Sequence, residues 1–129
     1  MAEDIVQKAE KVILSLKEKN ERGYNNMITT SQIRKFLTAV NAVTNRVEVF
    51  KVRCNECENL SEELINEIKF LKVKLVYQVG KDKKLRPFVE KAELLEMIDG
   101  IGSSIRKYEN FARYMEALVA YHKYYGGKD

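Results

Sequence analysis

Apolar residues recur along the chain at steps of three and four, the period of one face of an α-helix. No stretch shows the alternation of apolar and polar residues that a half-buried strand requires. The periodic stretches predict helices over about 3–21, 29–54, 61–80, 87–100 and 103–125. Since the predicted loops are short, the sequence indicates an all-α fold, a compact bundle of five helices.

Residues at the predicted helix ends support these bounds. Ser61 is followed by two glutamates, so it can cap the third helix while the carboxylates meet its positive end. Pro87 suits the first turn of the fourth helix, where its missing N–H costs nothing. The fifth helix is apolar over more than half its circumference, so it lies at the centre of the bundle or docks onto another subunit.

Length and composition indicate a single domain over residues 1–129, with 1–3 and 126–129 expected to fray. A hydrophobic fraction of 45% with one proline excludes disordered and collagen-like classes. The first residues lack the basic and apolar regions of a signal peptide, and no apolar run reaches the ~18–20 residues that span a membrane. We therefore expect a cytoplasmic protein with no membrane contact.

The net charge of +4 is unevenly distributed. Residues 69–86 carry seven bases and one acid, Asp82, whereas residues 87–102 are net acidic. Such a field favours an anionic partner on one face, although a solvated, lysine-rich helix end gives the same pattern.

Little in the sequence suggests catalysis. His122 is the one histidine, and its place on an apolar helix face is typical of a core histidine with one hydrogen bond. Cys54 and Cys57 have the spacing of half a zinc site, but a second ligand pair is missing from the sequence. The two cysteines agree with a reducing compartment and give no disulfide framework. We expect no enzyme activity, no metal and no cofactor.

Basic residues on the second helix form a stripe away from its apolar face. Lys35, Arg46 and Arg53 fall within about 20° of one another on a helical projection. Arg46 and Arg53 are separated by roughly 10 Å along the helix, so they can reach separate phosphates of an extended strand. A helix face that is charged for solubility is the alternative.

The third helix alternates aromatic and basic residues opposite its apolar stripe, at Phe70, Lys74, Tyr77 and Lys81. Single-stranded nucleic acid is bound by such surfaces, because bases stack on rings while ammonium groups meet phosphates. A protein docking surface has a similar composition.

Three strings resemble the small subunit of the type III-A CRISPR effector, the Csm complex. They are ITTSQIRKFL at 28–37, KVKLVYQ at 72–78 and FARYMEALVAYHKYYG at 111–126. The strings cover about a quarter of the chain, and the length and helix order agree over the rest. The basic residues that match the family's strings are Arg34, Lys35, Lys72 and Lys74.

The resemblance implies a non-catalytic, helical, RNA-binding subunit. Its partners would be single-stranded target RNA, the guide ribonucleoprotein, the RNA-cleaving backbone subunit, the large signature subunit and further copies of itself, stacked head to tail. From the stripes, the basic segment 69–86 and the resemblance together, the residues predicted to bind RNA are Arg34, Lys35, Arg46, Arg53, Lys74, Tyr77, Lys81, Lys83, Lys84 and Arg86.

Two other functions remain open, a helical DNA-binding regulator and a protein–protein adaptor. A regulator would need two short helices joined by a short turn. The long second and third helices argue against it.

Overall fold

The structure, a computed structural model, describes residues 4–19 and 30–125. These residues form helices without a β-strand, which confirms the all-α prediction. The helices within the described ranges are α1 (Ile5–Lys19), α2 (Thr30–Arg53), α3 (Glu62–Lys81), α4 (Leu85–Lys91), α5 (Leu94–Ile101) and α6 (Ile105–Tyr124).

The described residues contain six helices where the sequence predicted five, because the fourth segment breaks into α4 and α5. Glu93 takes a left-handed backbone conformation at the break, with φ of 57°. The Tyr114 hydroxyl donates a hydrogen bond to the Ala92 carbonyl at 2.9 Å and so fixes the bend. The bend turns both short helices to the core, where they bury Leu85, Phe88, Val89, Leu94, Ile98 and Ile101.

The last helix, α6, is the centre of the bundle, as one of the two readings of its wide apolar surface predicted. It packs against α1, α2 and α5. Its buried side chains include Tyr108, Phe111, Leu118 and the fully buried His122. Ser104 begins the helix by accepting a hydrogen bond from the Lys107 N–H at 3.2 Å.

A buried tyrosine hydroxyl joins α6 to α2. The Tyr108 hydroxyl donates to the Val40 carbonyl at 2.9 Å and lies 2.8 Å from the Thr44 hydroxyl. Burial raises the pKa of Tyr108 to about 12, and the Thr44 contact only partly opposes this shift. The core is therefore built around a phenol that is neutral over the physiological pH range.

The second and third helices are antiparallel neighbours. The Gln78 side chain donates to the Gln32 carbonyl at 3.3 Å, and the Gln32 side chain is hydrogen-bonded to Asp82. These contacts hold the start of α2 against the end of α3. Ser61 caps the other end of α3 by accepting from the Leu64 N–H at 3.2 Å, as predicted.

The connection between α2 and α3 differs from expectation in one respect. Cys54 and Cys57 are joined by a disulfide, with their Cα atoms 5.6 Å apart, where the sequence indicated none. Glu56, between them, has a left-handed backbone with φ of 69°. This turn brings two cysteines three residues apart within disulfide range.

Some predictions concern residues outside the described part. These are the fraying of 1–3 and 126–129 and the proposed bounds near 21 and 29. The single domain over 1–129 stays a prediction. None of the described helices combines the length and apolar character needed to cross a membrane.

Candidate nucleic-acid interface

A groove runs along the outer side of the α2 and α3 pair, and we call it the α2/α3 groove. It consists of three depressions of about 330, 500 and 350 Å³. The second and third share Arg46, Glu63 and Glu67, and the first lies one helical turn beyond the second. Lys35 and Arg53 are the outermost cations of its lining on α2, and the 18 residue steps between them correspond to about 27 Å.

The groove brings together the two stripes that the sequence presented on separate helices. The basic stripe of α2 and the aromatic and basic stripe of α3 each lie beside the apolar face of their own helix. Because α2 and α3 are antiparallel neighbours, the two stripes face each other across the space between the helices. Six of the ten predicted RNA-binding residues line it: Lys35, Arg46, Arg53, Lys74, Tyr77 and Lys81.

The charge of the groove is positive. The described lining residues include five cations against three carboxylates, those of Glu63, Glu67 and Asp82. Arg46 forms an ion pair with Glu67 across the groove. The other four cations form no ion pair with another described residue, so their charges can be neutralised by a ligand.

Aromatic rings stand beside the cations on α3. Phe70 and Tyr77 are exposed, with 70% of the Tyr77 surface accessible. The Lys74 ammonium lies 5.8 Å from the centre of the Phe70 ring, so the aliphatic stem of the lysine and the ring are held beside each other. The wall thus offers flat apolar faces next to positive charge.

Four predicted residues lie outside the groove. Arg34 is exposed on another side of α2. Lys83 and Arg86 border a separate depression beside α4, where Arg86 pairs with Glu90 at 3.2 Å. Lys84 precedes α4 and is exposed. Their contact with RNA stays a prediction without support from the groove.

Lys72, which the resemblance also pointed to, faces a different neighbour. Its ammonium contacts both carboxylate oxygens of Asp99 on α5, at 2.8 and 2.9 Å. It therefore joins α3 to α5 and does not line the groove.

The carboxylates of the groove were missed in the sequence. Glu67 is flanked on α3 by the buried residues Leu64 and Ile68, and a charged residue so close to an apolar stripe is the signal that could have identified it. Its partner, Arg46, was found from the charge pattern alone.

His122, the histidine that the sequence raised as a candidate for catalysis, is fully buried in the core. Within residues 4–19 and 30–125, no three His, Cys, Asp or Glu side chains are grouped closely enough to hold a metal ion.

Fold and groove together define a class of protein, a helical bundle with one basic, aromatic-lined face. The sequence profile of the Csm2 type III-A family matches residues 1–128. The chain is 42% identical over 127 residues to the "CRISPR system Cms protein Csm2" of Streptococcus thermophilus, with 98% of this chain and 95% of the relative covered. The protein of the same name from Mycobacterium tuberculosis is 35% identical, with the same coverage.

A third relative, from Enterococcus italicus, carries that name too and is 34% identical over 102 residues, covering 78% of this chain and 69% of the relative. The chain therefore belongs to the Csm2 type III-A family, the small subunits of the type III-A CRISPR complex. The resemblance found in the three strings is confirmed.

Proposed function

We propose that this chain is a non-catalytic, RNA-binding structural subunit of a type III-A CRISPR ribonucleoprotein. In this proposal the α2/α3 groove holds the phosphate backbone of single-stranded target RNA. Family membership supports the assembly, because the relatives carry the name of a CRISPR system protein. The groove supports the RNA contact.

The observation that carries the proposal is the meeting of cations and exposed rings in one groove. Lys35, Lys81 and Tyr77 line one end, Lys74 and Phe70 line the middle, and the arginines continue to the other end. A single strand needs this combination, since its phosphates are neutralised by cations while its bases stack on aromatic faces. A concave surface between two helices also presents no projecting helix that could enter the major groove of a duplex.

Binding of this kind depends on salt. Each phosphate neutralised on a single strand contributes about −0.7 to the slope of log K against log salt. With all five cations engaged, the slope attributable to one subunit would be about −3.5.

The chemistry of the complex would belong to its other members. The chain would contact the guide ribonucleoprotein, the RNA-cleaving backbone subunit, the large signature subunit and copies of itself, in the cytoplasm.

Charge reversal at the two ends of the groove tests the proposal. Lys35 and Arg53 are exposed and form no ion pair with described residues, so Lys35→Glu with Arg53→Glu removes phosphate contacts without stranding a partner. The variant chain is assembled into the Csm complex with guide RNA, and the dissociation constant for complementary RNA is measured. We expect it to rise tenfold or more, since hydrogen bonds to charged groups are worth about 1.5–3 kcal/mol each.

Arg106→Glu with Lys107→Glu is the matched control, because it changes net charge equally at exposed positions on α6, outside the groove. We expect the control to change affinity less than threefold, and both variants to melt within a few degrees of the unaltered chain. Equal weakening by both pairs would show that only net charge matters. If neither pair weakens binding, the groove is not the RNA-binding site.

A further inference from the structure

Glu67 occupies an unusual position in the middle of the α2/α3 groove. Its side chain is 24% exposed, and its neighbours on α3, Leu64, Ile68 and Leu71, are buried. One carboxylate oxygen contacts the Arg46 guanidinium, and the other is buried without a hydrogen-bond partner among the described residues. Arg46 thus supplies the contact that offsets the burial of this charge.

Arg46 lies on the opposite wall and is much more open to solvent, with 64% of its side chain exposed. A guanidinium carries five N–H donors in a rigid fork, so an edge that contacts a carboxylate leaves further donors for a second anion. A free arginine side chain on a helix surface samples many rotamers and must lose that freedom when it binds a phosphate.

We infer that Glu67 is a positioning residue for RNA binding: it holds Arg46 in the groove so that the guanidinium meets a phosphate with its side chain already ordered. The inference rests on the proposed function. Glu67, an acidic side chain, would then favour the binding of RNA, an anion, although its charge alone would oppose it. Because the contact orders Arg46 before RNA arrives, the cost of ordering is removed from the binding step.

The alternative role of Glu67 predicts the opposite sign. As a mere negative charge in a groove for phosphates, it would repel RNA, and its removal would tighten binding by about threefold for a phosphate about 6 Å away in water. As a positioning residue, its removal weakens binding, by about two- to tenfold for one long side chain that must now be ordered on binding. The direction of the change therefore separates the two roles.

Glu67→Gln keeps the shape of the side chain and removes the charge that holds Arg46. Glu63→Gln is the matched control, because Glu63 lines the same depressions and forms no ion pair with described residues. Each variant is assembled into the Csm complex, and the dissociation constant for complementary single-stranded RNA is measured across a salt series. We expect Glu67→Gln to weaken binding at least twofold and Glu63→Gln to tighten it slightly.

The salt series gives a second readout. In Glu67→Gln, Arg46 still neutralises a phosphate once it has been ordered, so this variant keeps the steepness of the salt dependence, as Glu63→Gln does, whereas Arg46→Gln lowers it by about 0.7. In a chain that already carries Arg46→Gln, Glu67→Gln should not weaken RNA binding further, because there is no arginine left to hold. Circular dichroism of each chain shows that the helices are intact.

The possible failures are distinguishable. If Arg46→Gln weakens binding but Glu67→Gln tightens it, or weakens it equally in the Arg46→Gln background, the positioning role is wrong and the groove remains the RNA site. If Arg46→Gln itself leaves affinity and salt dependence unchanged, Arg46 does not meet RNA, and both the positioning role and this part of the proposed function are wrong.

Discussion

Tyr77 provides a test of the groove that does not depend on charge. Its ring is 70% exposed between Lys74 and Lys81 on α3, and it lines the depression that also contains Lys35. An exposed ring contributes little to the folded state, so Tyr77→Ala should change the free energy of unfolding by only about 0.5 kcal/mol. Any larger effect on RNA affinity would then come from the binding surface itself.

The expected size follows from base stacking. Replacing a stacking ring with alanine costs about 1–3 kcal/mol per base, which corresponds to a loss of affinity of about 5- to 150-fold. Tyr124→Ala is the matched control, because Tyr124 is 78% exposed and lies at the end of α6, away from the groove. Both variants remove the same side chain from a similarly exposed position.

The assay is the dissociation constant of the assembled complex for complementary RNA at low and high salt. Stacking is not an ionic interaction, so the ratio of the Tyr77→Ala and unaltered affinities should be the same at both salt concentrations. Equal effects of Tyr77→Ala and Tyr124→Ala, or an effect that disappears at high salt, would refute the stacking role.

Three further predictions concern the rest of the molecule. Leu71→Ala should lower the free energy of unfolding by about 2–5 kcal/mol in urea titrations, since it empties a buried site; a loss under 1 kcal/mol would show that the core near α3 is loosely packed. Cys54→Ser with Cys57→Ser should leave RNA binding unchanged and zinc absent from protein purified without chelator; stoichiometric zinc that the double variant loses would contradict it. The raised pKa of Tyr108 means that the folded state favours the neutral phenol. The contribution of Tyr108 to the free energy of unfolding is therefore complete below pH 10 and is lost as the pH rises through about 12. Tyr108→Phe should lower the free energy of unfolding by about 0.5–1.5 kcal/mol at pH 7. In denaturation experiments across pH, the variant should lose less stability than the unaltered chain as the pH rises from 10 to 12. An equal loss in both chains would show that another group causes it.

Local patterns predicted the helices well because helical periodicity and caps are encoded in neighbouring residues. The wide apolar surface of α6 and the cap at Ser61 were both readable in this way. The break at Glu93 was missed, although the apolar spacing changes phase between Ala92 and Leu94. A left-handed residue other than glycine depends on tertiary contacts such as the Tyr114 hydrogen bond, which a sequence pattern does not show.

The groove could not be predicted from the sequence for the same reason, because it depends on how the helices pack. Each basic stripe was visible in its own helix, but their convergence required the antiparallel pairing of α2 with α3. The position of Glu67 opposite Arg46 likewise depends on the register between the helices. Lys83 and Arg86, close in sequence to the groove residues, were separated from it because the chain turns away into α4.

Photochemical crosslinking tests the central claim, that RNA lies in the α2/α3 groove, most directly. A Csm complex containing this chain is loaded with complementary RNA that carries 4-thiouridine, irradiated, and digested for mass spectrometry. We expect crosslinks on α3 at Phe70 and Tyr77, the exposed rings of the groove. Crosslinks confined to the tyrosines at the end of α6, with none on α2 or α3, would contradict it.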